Sequence, residues 1–230
     1  MELSPRLAAI AEQIPEGARL ADVGTDHAYL PVYLLLNGTI PSAVASDVNP
    51  GPLERGRETA RQAGVEEKLD FRLSDGLDGL GEDEAEVIVI AGMGGELIAR
   101  ILSEAPWTRG KLLLLQPMTG RPKLRRWLNA NGYRIQRETV VREGEKLYVI
   151  LTARGGEEPP YGPGELWAGR QRRGEDAPLR LAYLDDLLRR RRRALEGMER
   201  GSVDAETLAA ERRLITQLEE LREEWISWQR

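Results

Sequence analysis

The first half of the chain alternates between short apolar runs and amphipathic segments, and this alternation restricts the fold more than any other feature. Five apolar runs between residues 18 and 117 read ARLADV, SAVASDV, LDFRLS, AEVIVIAG and KLLLLQP. The intervening segments, such as GPLERGRETARQAG and GELIARILSEA, have the apolar spacing of helices. Strands that alternate with helices in this way predict an α/β fold with a doubly wound, mostly parallel sheet.

The flanks of this alternation add a helix before it and a hairpin after it. Ser4 and Pro5 have the form of an N-cap and a first helical position, which predicts a short opening helix. After the fifth run, a basic segment predicts a helix ended by Gly132, and residues 133–153 predict a hairpin that turns near residues 143–145. The hairpin would supply an antiparallel C-terminal strand to a seven-stranded, Rossmann-like sheet.

A glycine- and proline-rich stretch divides the chain. We predict an α/β domain, a linker and a helical hairpin, which cover residues 1–153, 154–169 and 170–230. From Asp176 onward, leucines and other apolar residues recur at spacings of 3, 4 and 7, which predicts two long helices that turn at Gly201 and Ser202. Five consecutive arginines begin at Arg189 and place Arg191 on the apolar seam of this coiled-coil-like hairpin.

Composition excludes several kinds of site. The 230 residues include no cysteine, which removes disulfides, thiolate zinc sites and cysteine nucleophiles and fits a reducing compartment. The single histidine, His27, rules out an imidazole metal cluster, so no metal is expected. No stretch approaches the ~20 apolar residues that cross a bilayer, and no signal segment is evident, so we expect a cytoplasmic protein without membrane contact. The net charge of −5 argues against a strongly basic coat but not against local phosphate-binding patches.

The loop after the first apolar run, GTDHAYLP, is the most informative short segment. It keeps Gly24 but lacks the further glycines that let a backbone approach a pyrophosphate. Asp26 would repel a diphosphate and would suit a ligand that carries an ammonium or sulfonium cation. S-adenosylmethionine carries both cations, and this loop therefore favours it over a dinucleotide.

Carboxylates and glycines follow the later runs, at the strand ends where such sheets bind ligands. Asp47 lies 25 residues after Asp22, close to the usual offset of a ribose-binding carboxylate. Asp75 would accept a hydrogen bond from an adenine amino group, although an isolated aspartate is more often a turn former or helix cap. The predicted cofactor-binding residues are Arg6, Asp22, Gly24, Asp47, Val48, Asp75, Gly76, Gly92 and Met93.

Four segments, LSPRL, ADVGTDHAYLP, IAGMGGELI and LLLQP, make residues 3–153 resemble the bacterial tRNA (adenine(22)-N1)-methyltransferases. The resemblance implies a class I methyltransferase fold, S-adenosylmethionine as the methyl donor and tRNA as the acceptor, with position 22 as the target. Met118 stands where we expect such sequences to carry asparagine. A base contact made by that asparagine therefore does not transfer to this chain.

Adenine N1 keeps an in-plane lone pair, so the site has to position the base rather than remove a proton. Because N1 lies on the Watson–Crick edge, a paired adenine must be exposed or flipped first. The predicted substrate-positioning residues are Asp26, His27, Tyr29, Gly94 and Gly95. Structural alternatives are a core position for Tyr29, a helix-capping role for His27, a glycine-rich helix start with Met93 in the core, and a solvated Arg6.

Two basic clusters are candidates for the phosphate backbone of RNA. The predicted RNA-binding residues are Arg121, Lys123, Arg125, Arg126, Arg189 and Arg190. A charge run is more often a solvated face, and the nearby acidic residues Asp185, Asp186, Glu196 and Glu199 could pair with the second cluster.

Three other functions stay open at the level of sequence. The same site could methylate another RNA or a small molecule. A dehydrogenase using NAD would fit the first glycine turn and Asp47, but the missing glycines and Asp26 oppose it. A noncatalytic interaction protein could be built around the helical hairpin, because its apolar seam could bind a partner helix. The oligomeric state is not determined by the sequence.

Overall fold

The computed structural model describes residues 1–174 and 179–228 of the chain. It contains two compact units, Met1–Glu158 and Pro159–Arg230. Within the described residues, no helix has both the length and the apolar character that a membrane crossing requires.

The first unit is built on one seven-stranded sheet. Its strands are β1 (Leu20–Val23), β2 (Ala43–Asp47), β3 (Leu69–Leu73), β4 (Val87–Gly94), β5 (Leu112–Thr119), β6 (Tyr133–Glu143) and β7 (Lys146–Gly155). Their order across the sheet is β3-β2-β1-β4-β5-β7-β6. Only β7 runs antiparallel to its neighbours, which confirms the predicted mostly parallel sheet with an antiparallel C-terminal strand.

Five helices connect and cover these strands. They are α1 (Pro5–Ala11), α2 (Tyr29–Leu36), α3 (Pro50–Gln62), α4 (Gly95–Glu104) and α5 (Arg121–Ala130). The first three share a core with the central strands, where Leu20, Val89 and Leu114 are fully buried. The side-chain hydroxyl of Ser4 accepts from the Leu7 N–H, so the predicted N-cap of the opening helix is confirmed.

The strands read as nearly continuous apolar runs because the sheet is covered on both sides. All four residues of β1 are buried, and so are the first six of β5. Burial on this scale forces the few polar residues within strands to find partners inside the protein. Asp22 in β1 and Gln116 in β5 are two such residues; Asp22 is the third of the four residues of β1, and Gln116 follows the four leucines of β5.

The described part of the second unit contains three helices, α6 (Pro163–Ala168), α7 (Arg180–Arg200) and α8 (Ala205–Ser227). The first of them lies inside the segment that the sequence suggested as a linker. It forms because the Gly162 N–H donates to the Glu165 carboxylate at 2.7 Å, and its Leu166 and Ala168 become buried. The domain limits suggested by the sequence therefore stay a prediction, with a helix inside the proposed linker.

The predicted hairpin of two long helices is present in α7 and α8, which turn at residues 201 and 202. Leu184, Leu188, Leu218 and Trp225 are buried along its seam. Arg191 is accommodated there because it pairs with Glu211. The parts of the predicted hairpin at residues 175–178 and 229–230 lie outside the described residues.

Candidate cofactor and acceptor site

A cleft of 260 Å³ opens at the carboxyl ends of β1 and β4. Seven of the predicted site residues line it: Arg6, Asp22, Gly24, Asp26, His27, Tyr29 and Gly92. A larger hollow of 610 Å³ lies near residues 42–44 and 66–70, and none of the predicted site residues borders it. The candidate functional groups therefore lie in the smaller cleft, which is lined by carboxylates, an arginine and two aromatic rings.

Asp22 is the most perturbed acid of the cleft. Its residue exposure is 8 %, and burial raises the pKa of its carboxyl group to about 6, while a hydrogen bond from Thr25 opposes that rise. The Thr25 hydroxyl also accepts from the Ala28 N–H at 3.0 Å, so it ties the turn to the strand. A buried carboxylate with little compensation favours a cationic ligand group at neutral pH.

The turn after β1 is shaped by Gly24 and Ala28. Gly24 has φ of +77°, its N–H donates to the Ser46 carbonyl at 2.8 Å, and a side chain on it would overlap the methyl carbon of Met93. Ala28 has φ of +52°, and no other non-glycine residue among those described has a positive φ. Strain at a non-glycine residue is typical of functional loops.

Asp26, His27 and Tyr29 form the outer lip of the cleft. The His27 and Tyr29 rings stack with centroids 5.0 Å apart and an interplanar angle of 5°. Tyr29 is 45 % exposed, so the core position considered for it is wrong. Asp26 is exposed, forms an ion pair with Arg55, and lies 3.6 Å from His27 Nε2. Its negative charge is therefore partly neutralised, which the sequence did not predict.

Arg6 reaches the cleft from α1 and is not a solvated helix arginine. Its Nη1 donates to Gln116 Oε1 at 2.7 Å, and its guanidinium lies 5.3 Å from the centre of the Tyr148 ring. Sequence reasoning missed Gln116 as a site residue. The signal was available, because Gln116 is the one polar residue that ends the apolar run LLLLQ in a strand buried on both faces.

The other end of the site follows β2 and β3. Asp47 closes β2 and accepts the Asn49 N–H at 2.7 Å, and its carbonyl accepts the Ser74 N–H at 3.0 Å. Val48 beside it is 61 % exposed. The backbone bond between Asp47 and Ser74 holds the ends of β2 and β3 together, so the predicted ribose and adenine positions lie at neighbouring strand ends.

Asp75 forms an ion pair within the protein, with Arg100. Arg100 on α4 binds it with an Nη2–Oδ1 distance of 2.9 Å, and this hydrogen bond holds the pKa of Asp75 below its usual value. Gly76 follows with φ of +56°, and a side chain on it would lie within 3.0 Å of Ile101. Asp75 also begins a turn, because its carbonyl accepts from the Asp78 N–H at 3.2 Å, so its backbone fits the turn alternative while its carboxylate forms an ion pair.

The two glycines after Met93 differ in their surroundings. A side chain on Gly95 would lie 2.7 Å from the carbonyl oxygen of Gly120, so the backbones of the two glycines pack closely. The space beside Gly95, which was predicted to help position the substrate, is therefore filled by protein, and packing explains the requirement for glycine there. Gly94 has less crowding, since a side chain there would meet only Thr119 Oγ1 at 3.4 Å.

The basic cluster after β5 divides into buried and exposed members. Arg125 is 0 % exposed and binds Glu138 with an Nη2–Oε2 distance of 2.7 Å, so its prediction as an RNA contact is wrong. The sequence could not separate it from its neighbours, because helix phase decides which arginine faces the sheet. Arg126 is exposed, and Lys123 is exposed and pairs with Glu96.

The arginine run on α7 is largely matched by acids. Arg189 and Arg190 both pair with Asp186, and Arg192 pairs with Glu219 on α8. Arg189 and Arg190 remain accessible despite these pairs, with side chains 67 % and 58 % exposed. Among the described residues, no group of histidines and acids has the arrangement of a metal site.

Comparisons with known proteins agree with this geometry. The methyltransferase domain family matches residues 3–151. The tRNA (adenine(22)-N(1))-methyltransferase of Bacillus subtilis is 38% identical over 159 residues, which are 68% of this chain and 67% of that protein. The crystal structure of the B. subtilis M1A22 tRNA methyltransferase TrmK has 31% identity and a TM-score of 0.82, with coverage of 97% and 98%. Streptococcus pneumoniae Sp1610 in complex with S-adenosyl-L-methionine has 33% identity and a TM-score of 0.82, with coverage of 94% and 99%.

Proposed function

Because the chain belongs to the tRNA (adenine(22)-N(1))-methyltransferases, within the methyltransferase domain family, we propose that it methylates N1 of adenine 22 in tRNA. The observation that carries this proposal is the relative of that name, at 38% identity over two thirds of both chains. The methyl donor is S-adenosylmethionine, which supplies an electrophilic methyl group on a sulfonium.

The reaction requires little general acid or base catalysis from the protein. N1 of adenine attacks with its own lone pair, the carbon–sulfur bond breaks toward sulfur, and the positive charge passes to the adenine ring. No proton leaves the base, so the site needs alignment more than a general base. The buried Asp22 favours a cationic group beside this step, and Asp26 at the lip contributes less because it is paired with Arg55.

The cleft fits the amino-acid part of the donor. Asp22 offers a carboxylate to its ammonium group, and Arg6 offers a guanidinium to its carboxylate. Arg6 supports this assignment because it lines the cleft, and its Nε makes no hydrogen bond within the protein, although it lies 3.8 Å from Glu143 Oε2. A buried donor without a partner is costly unless a ligand completes it.

The ribose and adenine of the donor extend along the strand ends. Asp47 accepts from the ribose hydroxyls, and exposed Val48 covers the adenine ring. Asp75 accepts a hydrogen bond from the adenine amino group. To do so, it must give up at least part of its ion pair with Arg100. Gly76 lets the adenosine approach the backbone here, as Gly24 and Gly92 do for the amino-acid part in the cleft.

The acceptor base enters from the lip. The stacked rings of His27 and Tyr29 present an aromatic face beside the cleft, and an extruded adenine can stack on it. Gly94 leaves room for the base edge, while Met93 packs over Gly24 beneath it.

The tRNA backbone is held by exposed cations. In the first unit these are Lys123 and Arg126, together with the half-buried Arg121, and in the second unit Arg189 and Arg190. Phosphates compete with the carboxylates that these side chains now face, such as Glu96 and Asp186. Such exposed ion pairs are weak, so exchange for RNA phosphates costs little.

The test is to incubate the protein with unmodified tRNA transcripts and S-adenosylmethionine labelled in its methyl group, followed by mass spectrometric mapping of nucleosides. We expect N1-methyladenosine at position 22, and no product from a matched transcript with guanosine at that position. Absence of product on every transcript would contradict the proposal. Methyl transfer to small molecules without tRNA would point instead to a different acceptor.

A further inference from the structure

Gln116 is a buried polar residue that neither the cofactor nor the acceptor needs to touch. It lies in β5, is 0 % exposed, and follows four buried leucines. Burying an amide in an apolar strand costs free energy unless its hydrogen bonds are made. The partners of Gln116 therefore indicate what it is for.

Both donors that Gln116 satisfies belong to the cleft. Its Oε1 accepts from Arg6 Nη1 at 2.7 Å and from the backbone N–H of Gly92 at 3.1 Å, while its Nε2 lies 3.5 Å from the sulfur of Met118. Since Arg6 and Gly92 are both donors, the amide orientation is fixed by chemistry. One oxygen atom thus joins α1, the end of β4 and β5.

Arg6 is held from three sides by this arrangement. Besides Gln116, its own backbone N–H donates to Glu143 Oε2 at 3.2 Å, and its guanidinium lies 5.3 Å from the centre of the Tyr148 ring. Its Nε is buried without a hydrogen-bond partner. That Nε lies 3.8 Å from Glu143 Oε2, so the guanidinium is fixed in place by an ion pair as well as by its hydrogen bond to Gln116.

We propose that Gln116 is a positioning residue that fixes Arg6 and the Gly92 turn to receive the carboxylate of the donor's amino-acid part. The inference rests on the proposed function, because it assumes a donor in this cleft. Gln116 contributes by preorganisation: a guanidinium already held in place loses little side-chain entropy when the ligand carboxylate arrives.

Binding of two ligands distinguishes a positioning role of Gln116 from a general structural role. S-adenosylhomocysteine and 5′-deoxy-5′-methylthioadenosine share the adenosine and a neutral thioether sulfur, but only the first has the amino-acid part. For Gln116→Leu, calorimetry should show at least about tenfold weaker binding of S-adenosylhomocysteine, equivalent to one hydrogen bond to a charged group. Binding of methylthioadenosine should stay within about twofold of the original protein, because that ligand does not use Arg6.

Two further variants complete the experiment. Gln116→Leu combined with Arg6→Leu should bind S-adenosylhomocysteine no more weakly than Arg6→Leu alone, since Gln116 acts through Arg6. Gln13→Leu is the matched control, because Gln13 also makes two side-chain hydrogen bonds in this unit but does not border the cleft. It should leave binding of both ligands unchanged.

If Gln116→Leu does not fold, Gln116→Glu replaces it, because a carboxylate still accepts from both donors. Its negative charge beside Arg6 should weaken the binding of S-adenosylhomocysteine and leave the binding of methylthioadenosine unchanged. Equal losses for the two ligands, in either variant, would overturn the inference while leaving the methyltransferase assignment intact. Failure of the unaltered protein to bind S-adenosylmethionine or S-adenosylhomocysteine would instead overturn the proposed function.

Discussion

The two ends of the cofactor site are built in opposite ways. At the amino-acid end, Asp22 and Gln116 are buried, and Arg6 is held by hydrogen bonds before any ligand arrives. At the adenine end, Val48 is exposed and Asp75 is engaged by Arg100 on the surface.

This difference indicates which interactions are set by folding and which by the ligand. Buried polar groups have one arrangement that satisfies them, so the amino-acid end is preorganised. Exposed ion pairs are weak and exchange readily, so the adenine end can rearrange. We therefore expect substitutions at the buried end to change stability and affinity together, and those at the exposed end to change affinity alone.

The largest effect is expected for Asp22→Asn. Burial raises the pKa of Asp22 to about 6, so its ionised form costs the folded protein stability above that pH, and the cost disappears as pH falls toward the unfolded value of about 3.9. The substitution should raise the free energy of unfolding at pH 7 by up to ~3 kcal/mol while weakening S-adenosylmethionine binding. Denaturant unfolding and calorimetry measure the two effects.

The pH dependence of binding provides the control for Asp22. The unaltered protein should lose affinity for S-adenosylmethionine as pH falls through about 6, because the protonated carboxyl no longer attracts the ligand's ammonium. Asp22→Asn should lack this dependence. A variant that is destabilised, or that keeps the original pH profile, would contradict the contrast between the two ends.

Asp47→Ala tests the exposed end. Loss of a carboxylate that accepts from ribose hydroxyls should weaken donor binding by roughly 1.5 to 3 kcal/mol, with little change in unfolding free energy. Asp70→Ala is a matched control on the neighbouring strand β3, where the carboxylate pairs with Arg72 and has no predicted ligand role. Donor affinity equal to that of the unaltered protein would refute the ribose assignment.

Tyr29→Ala tests the acceptor site independently of the two ends of the cofactor site. A stacked base gains about 1 to 3 kcal/mol from an aromatic ring, so the rate of methyl transfer to tRNA should fall by the factor that corresponds to this energy. Donor affinity should stay nearly unchanged. Tyr29→Phe keeps the ring and should retain most activity. Comparable losses in donor binding and transfer would place Tyr29 in the cofactor site.

The smallest effect is expected for Arg100→Ala. Without Arg100, Asp75 is free to accept from the adenine amino group, so donor binding should tighten by less than about fivefold. Asp75→Asn should weaken it, because the amide introduces donors where an acceptor is needed. Arg61→Ala, which removes another exposed and paired arginine, should change nothing. Weaker binding in Arg100→Ala would show that Arg100 itself contacts the ligand.

The main elements of the fold were predictable from the sequence because they depend on periodicity. The five apolar runs became β1 to β5, and the hairpin turn fell at residues 144 and 145, between β6 and β7. The short helix α6 was missed, since a proline- and glycine-rich segment resembles a linker until Glu165 caps it. Strand-end position also predicted that Asp22 lies at the cleft, because parallel strands carry their C-terminal residues to one edge, whereas Asp47 and Asp75 do not line it.

What the sequence determined by itself was the alternation of elements, the loop GTDHAYLP and the family to which they belong. Only the tertiary structure decided that Arg125 is buried against Glu138, that Arg55 and Arg100 face Asp26 and Asp75, and that Gln116 holds Arg6. The physical reason is that local pattern depends on neighbours along the chain. Ion pairs and hydrogen bonds such as Arg6 to Gln116, 110 residues apart, depend on how separate elements pack.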